Sequence, residues 1–130
     1  MEERFLIDTS AIIKYLNGVL PTQGLTFLDN VAANELIISF VSEIELQSWD
    51  PINPDDLNVY RQFISQCTIV GVDAAIIEET INIRRSFKLK LPDALIAATA
   101  IINDLVLVAD NDKDFSRVSR LKYFNPRIGS

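Results

Sequence analysis

Carboxylates recur where apolar runs of this 130-residue chain stop. FLID ends in Asp8, IISFVSEIE carries Glu43 and Glu45, LPDAL carries Asp93, and LVADNDKD carries Asp110, Asp112 and Asp114. The chain has no histidine and one cysteine, Cys67. Ser-His-Asp and Cys-His catalysis are therefore excluded, as is zinc held by imidazole or by several thiolates. Acid–base or metal chemistry must rest on carboxylates, with Lys, Tyr, Ser or Thr in support. Four such groups on one edge would repel one another by about 4 kcal/mol per pair at 4 Å and an effective dielectric of 20. Cations relieve that repulsion, and Mg2+ or Mn2+ suits an all-oxygen set.

Each acid also has a plain structural use. Asp8 could cap the helix after it, and Ser42-Glu43-Ile44-Glu45 matches a capping box. Asp110 and Asp112 could form a turn. Pro92 suits the first turn of a helix, and Asp93 would meet its positive end, worth roughly 0.3–1 kcal/mol. A calcium loop starting at Asp110 would need glycine and glutamate where Phe115 and Leu121 stand, so that reading fails. A phosphotransferase with Asp8 as nucleophile would need a second Asp where Ser10 stands.

The elements around these acids alternate. Strands are expected at 4–8, 35–39, 68–72, 105–109 and 122–125. Helices are expected at 9–16, near 24–33, at 41–49, about 54–66, from Asp73 to about 86, and at 92–103. In the fifth of these helices Ile76, Ile77, Ile81 and Ile83 are expected inward. Continuous apolar strands between helices imply an α/β three-layer α/β/α fold with a central, mainly parallel sheet. In such a sheet the strand carboxyl ends share one edge, where sites form. Asp8, Glu45 and the 110–114 acids would emerge there, and Asp93 would join from a helix start.

Length and composition imply one domain over residues 1–130, with hydrophobic residues at 48%. The apolar runs are far shorter than a membrane span, and the start lacks a signal pattern. A soluble cytoplasmic protein with no membrane partner is the expectation. Net charge is −6, yet nine of the twelve basic residues follow position 83. Lys88 and Lys90, then Lys113 and Arg117, flank candidate acids and could hold phosphates.

Four pieces in series, FLIDTSAII, SFVSEIEL, LPDALIAATA and LVLVADNDKDFSRV, resemble the PIN-domain family, and most closely its small VapC-type toxins of prokaryotic toxin–antitoxin pairs. The resemblance spans nearly the whole chain. It implies a Mg2+- or Mn2+-dependent ribonuclease with Asp8, Glu45 and Asp93 as its first three acids. Glu45 matches better than Glu43 because Leu46 follows it. The fourth position falls on Asp112, or with other gap placements on Asn111 or Asp110; the family's preceding Thr is Ala109 here. Ser10 matches a polar position that would orient Asp8 or a water. The resemblance also implies an RNA substrate, a cognate antitoxin and a homodimer. The stretch around Leu46, Trp49 and Pro51, or helix 54–66 with Tyr60 and Phe63, could dock a partner, with core packing as the competing use. A non-catalytic PIN-like binding module is the alternative to the nuclease.

Overall fold

A computed structural model of the chain describes residues 2–48 and 54–128. In order, its elements are β1 (Phe5–Ile7), α1 (Thr9–Leu16), α2 (Thr22–Asn34), β2 (Ile37–Ser39), α3 (Phe40–Ser48) and α4 (Pro54–Ser65). There follow β3 (Thr68–Val70), α5 (Ala74–Phe87), α6 (Leu91–Ile102), β4 (Val106–Val108), α7 (Asp112–Phe115) and β5 (Tyr123–Phe124). The five strands form one sheet in the order β3-β2-β1-β4-β5, and every pairing is parallel. The expected three-layer architecture is therefore present.

Strand alternation divides the core. Leu6, Ile37 and Leu107 turn to one face and pack with α5 and α6. Ile7, Ile38 and Val108 turn to the other and pack with α1, α2 and α4. With both faces covered, the strands read as unbroken apolar runs. Small residues let α6 approach closely: Ala94, Ala97, Ala98 and Ala100 are fully buried. Asp73 caps α5, accepting from Ile76 N–H at 2.9 Å. Gly18, at φ 68, ends the turn after α1 in the left-handed region.

The inward face of α5 differs from the expectation. Ile76 and Ile83 are buried, but Ile77 and Ile81 are 51% and 49% exposed. Glu79 and Thr80 take the intervening inward positions. Glu79 pairs with Arg120, and Thr80 Oγ1 donates to Ile76 O. Tyr60, Phe63 and Leu46 are core residues, 3%, 7% and 1% exposed, so they do not offer a docking surface. Trp49 and Pro51 lie outside the described residues. No described helix is long and apolar enough to cross a membrane.

Candidate functional site

A cleft of about 310 Å³ opens at the carboxyl edge of the sheet, lined by Asp8, Thr9, Ser10, Ile13, Glu45 and Asp93. Chain order reverses across β1, with β2 on one side and β4 on the other. That reversal leaves a crevice between diverging connections, the usual place for a ligand in such sheets. A larger cavity of about 390 Å³ lies near the amino ends of β1 and β2, beside the Arg4–Glu35 ion pair. It holds none of the cleft's carboxylates.

Asp8 follows β1 and is only 6% exposed. Its N–H donates to Val108 O at 2.9 Å, which ties it to the sheet. Asp8 stands at the N-cap position of α1, but its side chain makes no capping hydrogen bond. Instead Ser10 Oγ donates to Asp8 Oδ2 at 2.8 Å. Burial pushes the Asp8 carboxyl up to about 6, and the charge of Asp93 adds to the rise against the Ser10 bond.

Glu45 comes from α3. Ser42 and Glu45 lie inside that helix and not at its start, so they do not form a capping box. Thr9 Oγ1 donates to Glu45 Oε1 at 2.6 Å and lies 2.9 Å from the Oγ of buried Ser42. Asp93 stands in the first turn of α6, beside Pro92. Its carboxyl is raised by partial burial first, then by the charges of Asp114 and Glu45, with Lys90 acting the other way.

The candidates for the fourth position lie on the loop after β4. Asp110, Asp112 and Asp114 do not line the cleft. Lys14 and Asn125 take the Asp110 carboxylate, and Arg127 adds to its field. Tyr123 Oη donates to Asp112 Oδ1 at 2.7 Å, with Asn125 Nδ2 at 3.1 Å. Both carboxyls fall below their ordinary range, Asp110 chiefly through Lys14 and Asp112 chiefly through Tyr123. Asn111 caps α7, and its Nδ2 donates to Asp114 Oδ2 at 3.1 Å. Asp114 is the acid of this loop whose charge reaches Asp93. Asp114 is one of the 110–114 acids expected at this edge, and Phe115 beside it is fully buried.

Of the basic candidates, Lys88, Lys90 and Lys113 are exposed and make no ion pair among the described residues. Arg117 pairs with Asp114 at 3.5 Å. Lys88 adopts the left-handed conformation (φ 56) at the C-cap of α5, turning the chain into α6.

Among the described residues, no three acidic or thiol side chains converge tightly enough to enclose a metal ion. The donors still suit a hard cation. Mg2+ keeps several waters and commonly takes only one or two carboxylates from the protein. Asp8 and Asp93 are two such groups in one open cleft, and Asp8 carries a repulsion that a cation would relieve.

The PIN domain family model matches residues 5–121. No curated protein matches the chain in sequence. Among solved structures, the chain is similar to VapBC2 from Rickettsia felis bound to a DNA fragment from their promoter. Identity is 24%, coverage 93% of this chain and 97% of that one, and the TM-score 0.79. DNA-bound VapBC from Salmonella typhimurium matches at 23% identity over 96% and 99% of the two chains, TM-score 0.80. A toxin–antitoxin complex from Klebsiella pneumoniae matches at 26% identity over 93% and 96%, TM-score 0.75.

Proposed function

Since the chain belongs to the PIN domain family, we propose that it is a metal-dependent endoribonuclease, the toxin of a toxin–antitoxin pair. The observation that carries this reading is Asp8, a buried carboxylate held at the end of the central strand in one cleft with Glu45 and Asp93. A buried acid without a cationic partner costs stability, so its presence there is better explained by chemistry than by capping.

In this proposal Asp8 and Asp93 hold a Mg2+ or Mn2+ ion. When bound, the ion lowers the pKa of water and offsets negative charge on the scissile phosphate. The chain's own groups do the rest. Ser10 fixes the orientation of Asp8. Thr9 holds one oxygen of Glu45, which leaves the other to accept a proton. Lys88, Lys90 and Lys113 bind flanking phosphates of RNA, and sequence preference would favour single-stranded or loop regions.

The similar structures are VapBC and toxin–antitoxin complexes, which supports a cognate antitoxin as partner. Homodimerisation belongs to the same proposal, and Ile77 and Ile81 give α5 an exposed apolar face for it. The wide spacing of the acids favours a second reading, a non-catalytic PIN-like module acting by protein contact. Incubating the purified chain with single-stranded RNA, with Mn2+ and then with EDTA, separates the two. Cleavage that needs the cation supports the nuclease; no cleavage in either condition supports the binding module.

A further inference from the structure

We propose that Ser42 is a positioning residue for the reaction: acting through Thr9, it aims Glu45 into the cleft. This deepens the nuclease reading above and rests on it.

Ser42 and Glu45 stand three residues apart on α3, so they share one face of that helix. That face meets the first turn of α1, where Thr9 reaches both. Thr9 Oγ1 lies 2.6 Å from Glu45 Oε1 and 2.9 Å from Ser42 Oγ. A hydroxyl has one proton to give and can accept as well. Glu45, the proton acceptor of the nuclease reading, is a carboxylate there and only accepts. The Thr9 proton therefore goes to Glu45, and Ser42 donates to Thr9. The bonds run in one direction, from Ser42 to Thr9 to Glu45, and each bond in such a chain polarises the next.

The three side chains differ in freedom. Ser42 is fully buried, Thr9 is half-buried and Glu45 is exposed. Threonine in a helix divides between two rotamers, and an exposed glutamate has many. Ser42 is the fixed end of the chain and selects the Thr9 rotamer that points its proton at Glu45. Thr9 and Glu45 line the cleft, whereas Ser42 does not, so Ser42 acts only through Thr9. The neighbouring Ser39 is equally buried but serves the backbone, its Oγ accepting from Val41 N–H at 3.0 Å. Two buried hydroxyls at the start of α3 thus have separate roles.

The test is a double-mutant cycle in the full chain: wild type, Thr9→Val, Ser42→Ala and the two together, with Ser39→Ala as control. Cleavage of a single-stranded RNA is followed at saturating Mn2+, and the melting temperature of each protein is measured in parallel. Ser42→Ala is expected to slow cleavage about 3–10-fold, the scale of one neutral hydrogen bond. Ser42→Cys keeps the volume and a weak donor, and is expected to fall between wild type and Ser42→Ala. In the Thr9→Val background, Ser42→Ala is expected to change the rate less than about twofold, because the group it acts through is gone. Thr9→Val also leaves the buried Ser42 hydroxyl without its acceptor. Adding Ser42→Ala there is expected to cost no melting temperature, although Ser42→Ala alone lowers it. Ser39→Ala is expected to lower the melting temperature while cleavage by the folded protein stays within about twofold of wild type. Rate losses that multiply in the double variant overturn the proposal. So does a Ser42→Ala variant that cleaves at the wild-type rate, or a Ser39→Ala loss as large as that of Ser42→Ala. Wild type that cleaves no RNA overturns the nuclease reading and the role of Ser42 in it, while the melting temperatures still read the bond between Ser42 and Thr9.

Discussion

Thr9 Oγ1 donates to Glu45 Oε1 at 2.6 Å, joining the first turn of α1 to α3 across the cleft. The bond holds an otherwise exposed glutamate in the cleft that Asp8 also lines. Thr9→Val keeps the shape of the side chain and removes the donor. Loss of an outer partner of this kind commonly costs 10–100-fold in activity. A fall of about that size in RNA cleavage is expected, with Thr9→Ser restoring most of it, measured at saturating Mn2+.

Asp8 makes the metal-free protein pH-sensitive. Its folded pKa, about 6, lies above the ordinary 3.8. The folded state therefore binds the proton more tightly than the unfolded chain. The stability this contributes is fully present below about pH 4 and is lost as pH rises through 6. At 1.36 kcal/mol per pH unit, the difference is on the order of 3 kcal/mol. Asp8→Asn is expected to abolish cleavage yet raise the melting temperature at pH 7 in EDTA by several degrees. A melting temperature that falls instead would mean that Asp8 is stabilising in its charged form.

Much of this was legible beforehand. The apolar runs around Leu6, Ile37 and Leu107 announce strands covered on both sides, and Pro92 and Asp73 mark helix starts. Asp8 and Asp93, which line the cleft, each stand beside such a boundary, whereas Glu45, inside α3, rested on the resemblance of SFVSEIEL. What was missed depends on contacts distant in sequence. Ile76, Glu79, Thr80 and Ile83 share one face of α5 at helical spacing, which leaves Ile77 and Ile81 outward, and Arg120 pairs with the buried Glu79. Tyr123 and Asn125 hold Asp112, while Asn111 holds Asp114. Spacing along the chain does not show these side-chain partners.

Gly24 on α2 faces the C-terminal segment. A Cβ there would lie 2.1 Å from the Pro126 carbonyl oxygen, which is backbone and cannot swing away. Gly24→Ala is expected to destabilise by about 1–3 kcal/mol, read from chemical denaturation.

Lys88 and Lys90 should be felt in the salt dependence of binding. Each phosphate contact to a single strand contributes about 0.7 to the slope of log affinity against log salt. Removing both charges, as Lys88→Gln with Lys90→Gln, is expected to flatten that slope by about 1.4 for an uncleavable RNA. An unchanged slope would place the RNA path elsewhere.

Asp93 and its neighbours are proposed to form a cation-dependent site for RNA hydrolysis. The most direct measurement is the rate of RNA cleavage in Mn2+ by wild type and by Asp93→Asn, purified side by side. Wild type is expected to cleave until EDTA stops it, and the variant to lose at least about 100-fold, the scale on which removing one transition-state donor acts. Equal cleavage by the two proteins would contradict it.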